Sequence, residues 1–195
     1  MDEGEKRMST YEMKESKKLE VGTMAVIGVM TAITCILAPL SVPIGPVPIS
    51  LTNLVIYFTL YILGMKKGTF SYVIYLLIGL IGVPVFSGFS SGPAKLFGPT
   101  GGYLIGFILM ALIAGYFIER FISKWYLCLL GMLLGTMVCY LLGTLWLAYQ
   151  MSLSLKSALW AGVIPFIPGD FIKMILAMLV GPQISKRLNQ AGINH

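Results

Sequence analysis

The sequence predicts an all-α integral membrane protein with six transmembrane helices, and three observations carry that prediction. Apolar residues make up 57% of the 195 residues and charged ones only 11%, less than half the charged share of a soluble domain. The apolar residues gather into stretches near the roughly 20 residues that a helix needs to cross a bilayer. Basic residues fall almost entirely in alternate connections. Such a chain has too little polar surface to dissolve, and its natural solvent is hydrocarbon.

The first 20 residues are set apart. They hold six of the eight acidic residues and five of the fourteen basic ones, and are read as a charged cytoplasmic tail preceding a single membrane domain over 21–195. The first span is Val21 to Leu40, twenty residues without a charge. The polar tail before it and the lack of a small-residue cleavage site after a short apolar core mark a span rather than a signal peptide. The segment SVPIGPVPIS (41–50) follows, with prolines at 43, 46 and 48 and Gly45. Proline lacks an N–H and restricts its predecessor, so the helix cannot continue. The segment is still apolar, and irregular backbone at membrane depth requires protein or a wet cavity around it. It is expected to fold inward over something.

The second span runs from about Ser50 to Met65 and stops at Lys66-Lys67; the third runs from Gly68 to about Val83. A glycine-rich loop, Pro84 to Gly101, precedes the fourth span, Gly102 to Ile118, which Glu119-Arg120 close. The fifth opens at Trp125, with Tyr126 beside it in an interfacial belt, and continues to about Tyr149. The last stretch, Ser157 to Arg187, allows one kinked helix or a short outer segment followed by a helix starting near Pro168. The second option suits proline, which is comfortable in a first helical turn and disruptive in an interior. No internal repeat is evident, so an inverted-repeat architecture lacks support.

With the N-terminus inside, the inner segments hold eleven basic residues and the outer loops two, Lys95 and Lys156. That asymmetry predicts cytoplasmic termini and places the loops 41–49 and 84–101 on the outer side. It also accounts for the net charge of +6 without nucleic acid, because no basic stripe interleaved with aromatics is present.

Few residues can do chemistry. The only histidine is His195, which argues against a histidine metal site or catalytic dyad, and no metal site is expected. Cys35, Cys128 and Cys139 lie in apolar runs without CxxC spacing, as buried free thiols do. Within the spans the informative pair is Asp170 and Lys173. Ionisable residues in a membrane segment are costly and mark function by default; spacing i, i+3 puts both on one helix face. The alternative is that they merely neutralise each other and snorkel outward. Their position at the level of both irregular outer loops favours a lidded pocket. The second loop offers Phe86, Ser87, Gly88, Phe89, Ser90, Ser91 and Gly92, with Phe97, Thr100 and Tyr103 beyond, and its glycines permit close approach to a ligand. A Gly/Ser loop alone is also compatible with a linker. No Gly-Lys-Ser/Thr phosphate cradle occurs, so active transport would draw ATP hydrolysis from another chain. In the first span, Ala25, Gly28 and Ala32 form a small-residue face that lets a helix approach closely, whether from this chain or another.

The segments GPVPISLTNL (45–54), GVPVFSGFSSG (82–92), LFGPTGGYLIG (96–106) and IPFIPGDFIK (164–173) together resemble those of the BioY family. These are the biotin-specific S components of energy-coupling-factor (ECF) vitamin transporters. The resemblance covers nearly all of the chain after the charged tail, and its Gly-Pro-Thr-Gly-Gly-Tyr and Pro-Gly-Asp-x-x-Lys runs are specific in order and spacing. One departure stands out: the family usually carries Gln soon after Pro-Val-Pro, where this chain has Thr52 beside Asn53, the candidates for a polar contact from the second span.

The resemblance implies a six-helix S component in the cytoplasmic membrane, both termini inside, with a biotin pocket on the outer half capped by the 1–2 and 3–4 loops. Asp170 would accept from a ureido N–H, with Lys173 donating to the ureido oxygen or to Asp170, while the carboxylate meets loop hydroxyls or backbone N–H groups. It further implies docking on a transmembrane T protein driven by two ATPase subunits, through the face that includes Ala25, Gly28 and Ala32, and toppling to deliver the ligand. No cofactor is implied. An S component for another small vitamin and a stand-alone carrier are the other readings. A carrier would need polar residues along a whole path, whereas here they cluster at one end; an intramembrane enzyme would need more than one acid and one lysine.

Overall fold

The computed structural model describes residues 21–190; the charged segment 1–20 lies outside them. The molecule is mostly helical. Helix α1 spans Val21–Leu37, ending short of Leu40 because Pro39 cannot donate and disfavours helix at Ala38. A hairpin follows, β1 (Ser41–Pro43) against β2 (Pro48–Ser50). Then come α2 (Thr52–Leu80), α3 (Pro93–Leu96), α4 (Gly101–Phe121), α5 (Trp125–Met151), α6 (Leu155–Gly162) and α7 (Ile167–Gln190). Helices α4, α5 and α7 are each long and apolar enough to cross a membrane.

The hairpin departs from the all-helical expectation. Its strands pair antiparallel, Ser41 with Ser50, Val42 with Ile49 and Pro43 with Pro48. The two opposed prolines sit at the turn end, where lost ladder hydrogen bonds matter least, and Gly45 takes φ 109° in the turn. Val47 is buried beneath it. The backbone polar groups that cannot enter a helix are thus partly satisfied across two strands.

The two spans expected on either side of Lys66-Lys67 are two segments of α2, broken at Gly64, where φ is 73° and ψ −175°. That conformation suits glycine alone, and the chain bends there so sharply that Gly68 lies against Leu60. Glu119 of α4 accepts from the Met65 N–H at 2.8 Å, so its carboxylate caps the second segment where the helix dipole favours negative charge. The reversal needs no loop, only one glycine and one borrowed acid.

Helices α4 and α5 approach most closely along a seam of small residues, as small side chains permit in lipid. A Cβ on Gly135 would crowd the Met110 backbone, and one on Gly102 would collide with Trp146. The Gly-Pro-Thr-Gly-Gly run therefore serves packing: the loop it ends is tied to α5 by Trp146 Nε1 to the Gly98 carbonyl (2.9 Å) and Gln150 Nε2 to that of Phe97 (2.7 Å). Of the two arrangements open for the last stretch, the structure has the short helix α6 followed by α7. Pro168 falls in the first turn of α7, with Asp170 in that same turn.

Candidate functional site

The starts of α2, α4 and α7 meet at one end of the bundle, beneath the hairpin and the 84–100 loop, and enclose a cavity of about 60 Å³. Val47, Pro48 and Ser50 contribute from the hairpin, Thr52, Asn53 and Tyr75 from α2, Ser87 and Thr100 from the loop. Tyr103, Leu104 and Phe107 contribute from α4, Thr136, Cys139 and Tyr140 from α5, Gly162 and Phe166 from α6 and the residues after it, and Asp170 and Lys173 from α7. The first turns of three helices thus border this region, and with them the positive ends of their dipoles.

The polar centre is a compact network. Lys173 Nζ donates to Asp170 Oδ1 at 3.0 Å, to Asn53 Oδ1 at 3.1 Å and to the Ser50 carbonyl at 2.7 Å. Its three donors thereby each meet an acceptor. Asp170 Oδ2 accepts from the Tyr140 hydroxyl at 2.6 Å. The side chains of the ion pair are only 12% and 11% exposed, so they do not snorkel. Burying two charges is tolerable only when such bonds accompany their attraction. Nearby, the Tyr57 hydroxyl and Thr136 Oγ1 lie 2.6 Å apart, and Ser50 Oγ lies 2.9 Å from Thr52 Oγ1. A carboxylate oxygen has room for more than one hydrogen bond, so Asp170 can receive a ligand donor while keeping its partners.

Of the residues singled out from sequence, Thr52, Asn53, Ser87, Thr100, Tyr103, Asp170 and Lys173 come together around this cavity. Phe86, Gly88, Phe89, Ser90, Ser91 and Gly92 do not line it. Phe86 is fully buried, edge-on to Tyr75 at 5.7 Å between ring centres, and fills the space left by Gly79. Its N–H bonds the Ser90 carbonyl, while Gly88 and Gly92 donate to the carbonyls of Pro39 and Gly79; Ser90 Oγ donates to the Ser87 carbonyl. These bonds shape the loop that presents Ser87. Phe89 is exposed, at φ 55°, and lies beside Gly88 in an open groove between the two loops. Ser91 is half-buried. Outside the spans, Lys95 on α3 is half-buried, and burial lowers its ammonium's pKa; it does not line the cavity.

Sequence reasoning missed Tyr140, Thr136 and the Ser50 carbonyl. The first two had a signal: a hydroxyl and a phenol at i, i+4 in the middle of an apolar span share one helix face, and polar groups at that depth need partners. A backbone carbonyl carries no such mark.

Ala25, Gly28 and Ala32 lie on the opposite side of the question. All three are exposed on α1, and a Cβ on Gly28 would meet nothing within 4 Å. Gly28 and Ala32 line an open groove of about 600 Å³ with Met24, Ile27, Phe70 and Ile74. Among the described residues, α2 forms the groove's other wall through Phe70 and Ile74, and nothing covers Gly28 itself.

Comparison with known proteins agrees across three kinds of evidence. Residues 11–190 match the BioY family. The chain is 38% identical over 160 residues to the biotin transporter BioY of Thermotoga maritima, covering 82% of this chain and 93% of that one. It is 34% identical over 167 residues to biotin transporter BioY2 of Lactococcus lactis subsp. cremoris, covering 86% and 92%. Among solved structures it resembles the crystal structure of the S-component for biotin from an ECF-type ABC transporter, with 35% identity and a TM-score of 0.79. That match covers 86% of this chain and 92% of the other.

Proposed function

The chain belongs to the BioY family and is a biotin transporter subunit, the S component of an ECF-type transporter, and we propose that it holds biotin in the cavity beneath the hairpin. The observation that carries this reading is the buried Asp170–Lys173 pair, bonded to Tyr140, Asn53 and Ser50 and roofed by two loops. Biotin's ureido group offers two N–H donors and a carbonyl; its ring is apolar on the sulfur side. Asp170 accepts from a ureido N–H. Lys173, when it exchanges one of its three protein acceptors, donates to the ureido oxygen. The carboxylate tail lies toward the hydroxyls of Ser87 and Thr100 and the starts of α2 and α4, where helix dipoles favour an anion. The protein carries out no bond making or breaking.

The cavity's 60 Å³ is below the roughly 300–1,000 Å³ of small-molecule sites, so the walls move apart when biotin enters. The direct test is purification of the chain in detergent without added vitamin, followed by mass spectrometry of what accompanies it. Biotin is the expected companion. A different bound vitamin, together with no biotin binding by calorimetry, overturns the assignment.

The helices make six crossings in this reading: α1, the two segments of α2, α4, α5 and α7. Both termini lie in the cytoplasm and the cavity on the outer side, supported by the eleven-to-two bias of basic residues. Single cysteines at Ser91 and Ser123, in a background without the three native thiols, test it. An impermeant thiol reagent reacts with Ser91→Cys in intact cells and with Ser123→Cys only after lysis; the reverse pattern refutes the orientation.

The chain docks on a membrane-embedded T protein powered by two ATPase subunits, and the exposed small-residue face of α1 is the docking surface. The groove at Gly28 and Ala32 supports this, because van der Waals fit is the main attraction between helices in lipid.

A further inference from the structure

Behind the wall that Tyr140 and Asp170 form lies a second and larger space. A crevice of about 560 Å³ runs between α5, α6 and α7, lined by Met137, Leu141, Leu159, Val163 and Phe171, among other apolar residues. Thr136, Tyr140 and Asp170 border both spaces. At this place the partition is one side chain thick. The Tyr140 hydroxyl is fastened to Asp170 Oδ2 at 2.6 Å, and the residue is only half-buried.

Two other walls of the cavity, at Tyr75 and Tyr103, are backed by packed protein. Tyr75 is fully buried, and its hydroxyl donates to the Val85 carbonyl at 3.1 Å; Tyr103 sits in the gaps left by Gly143 and Gly162. A core packed at crystal-like density yields little. A ligand too large for the 60 Å³ cavity therefore finds its room where a single ring stands before this surface crevice, whose Met137, Leu141 and Phe171 are exposed.

We infer that Tyr140 is the specificity-determining wall of the site: its hydroxyl orients the Asp170 carboxylate, and its ring sets how much space a ligand has on the α5 side. This rests on the biotin reading given above. With a ureido N–H at Asp170, the fused sulfur-bearing ring lies alongside Tyr140, apolar surface against apolar surface. A ligand widened at the sulfur then meets the Tyr140 ring first.

Calorimetry on the purified full chain with two ligands, biotin and biotin sulfone (widened by two oxygens on the sulfur), separates the two roles. Tyr140→Phe keeps the ring and loses the hydrogen bond, so both ligands weaken by about tenfold or more and the ratio of their affinities stays as in wild type. Tyr140→Ala and Tyr140→Leu remove the ring, and the sulfone-to-biotin affinity ratio rises by about tenfold, the scale of discrimination that pocket size provides. If Tyr140→Ala fails to fold, Tyr140→Leu, which retains apolar bulk on α5, decides alone. An unchanged ratio in variants that still bind biotin overturns the inference and makes Tyr140 a packing residue. Wild-type protein that binds neither ligand refutes the biotin reading instead, a different result from the same instrument.

Discussion

Asp170→Asn is expected to weaken biotin binding by two orders of magnitude or more, beyond any single serine change in the 84–100 loop. The substitution preserves shape, so the loss is electrostatic. A carboxylate accepting from an N–H makes a charge-assisted bond about twice as strong as a neutral one. It also neutralises Lys173, whose side chain is 12% exposed and bonded at 3.0 Å to the Asp170 carboxylate. Removing one member of a buried pair strands the other, which costs about 3–5 kcal/mol; part of that falls on folding and part on the bound state. Ser87 is the loop serine at the cavity wall, and Ser90 spends its hydroxyl on the loop's own backbone, so Ser90→Ala removes no ligand bond and Ser87→Ala removes a single hydroxyl bond to the tail carboxylate without stranding a buried charge. Isothermal titration of biotin into wild type, Asp170→Asn and Ser87→Ala, with circular dichroism as the check on folding, measures the order. Wild-type affinity in a folded Asp170→Asn protein makes the ion pair a structural strut.

Gly28→Leu or Ala32→Leu is expected to abolish ATP-driven uptake while leaving biotin affinity within about twofold. Both residues are exposed on α1, and a side chain added at Gly28 meets no atom of this chain within 4 Å, so the fold has no reason to respond. A second helix seated in the groove does respond, because a leucine on a small-residue face prevents the close approach on which association in lipid depends. Two measurements decide it: titration of the isolated subunit, and copurification with the T protein and ATPases. Normal copurification and uptake by Ala32→Leu place the docking surface elsewhere. Loss of biotin binding as well means that α1 supports the pocket from within.

The two experiments probe features that differed in how visible they were beforehand. Asp170 and Lys173 stood out because charge is rare in an apolar sequence and their spacing alone puts them on one face. The small-residue face of α1 was equally plain, but whether it packed inside the chain was not, since a glycine reads the same on a seam and on a surface. The α4–α5 seam and the α1 face have similar compositions; Gly135 is pressed against Met110 and Gly28 against nothing. The glycines of the 84–100 loop read as freedom to approach a ligand. In the structure the loop is instead knitted to itself, to Pro39 and to Gly79, with Ser87 as its contribution to the cavity.

From the sequence by itself came the membrane as solvent, the run of apolar segments, the proline-driven breaks at 41–49 and near Pro168, and the polar pair at the start of the last helix. Each of these follows from local chemistry: hydropathy over about 20 residues, a missing N–H, or the cost of a charge in hydrocarbon. Tertiary structure alone decided the hairpin register, the Gly64 reversal capped by Glu119, and the meeting of Ser50, Asn53 and Asp170 around one ammonium group, with Tyr140 on the other oxygen of that carboxylate. Those depend on which residues, up to 123 positions apart, are brought within hydrogen-bonding reach, and a hydrogen bond is a property of the pair rather than of either residue.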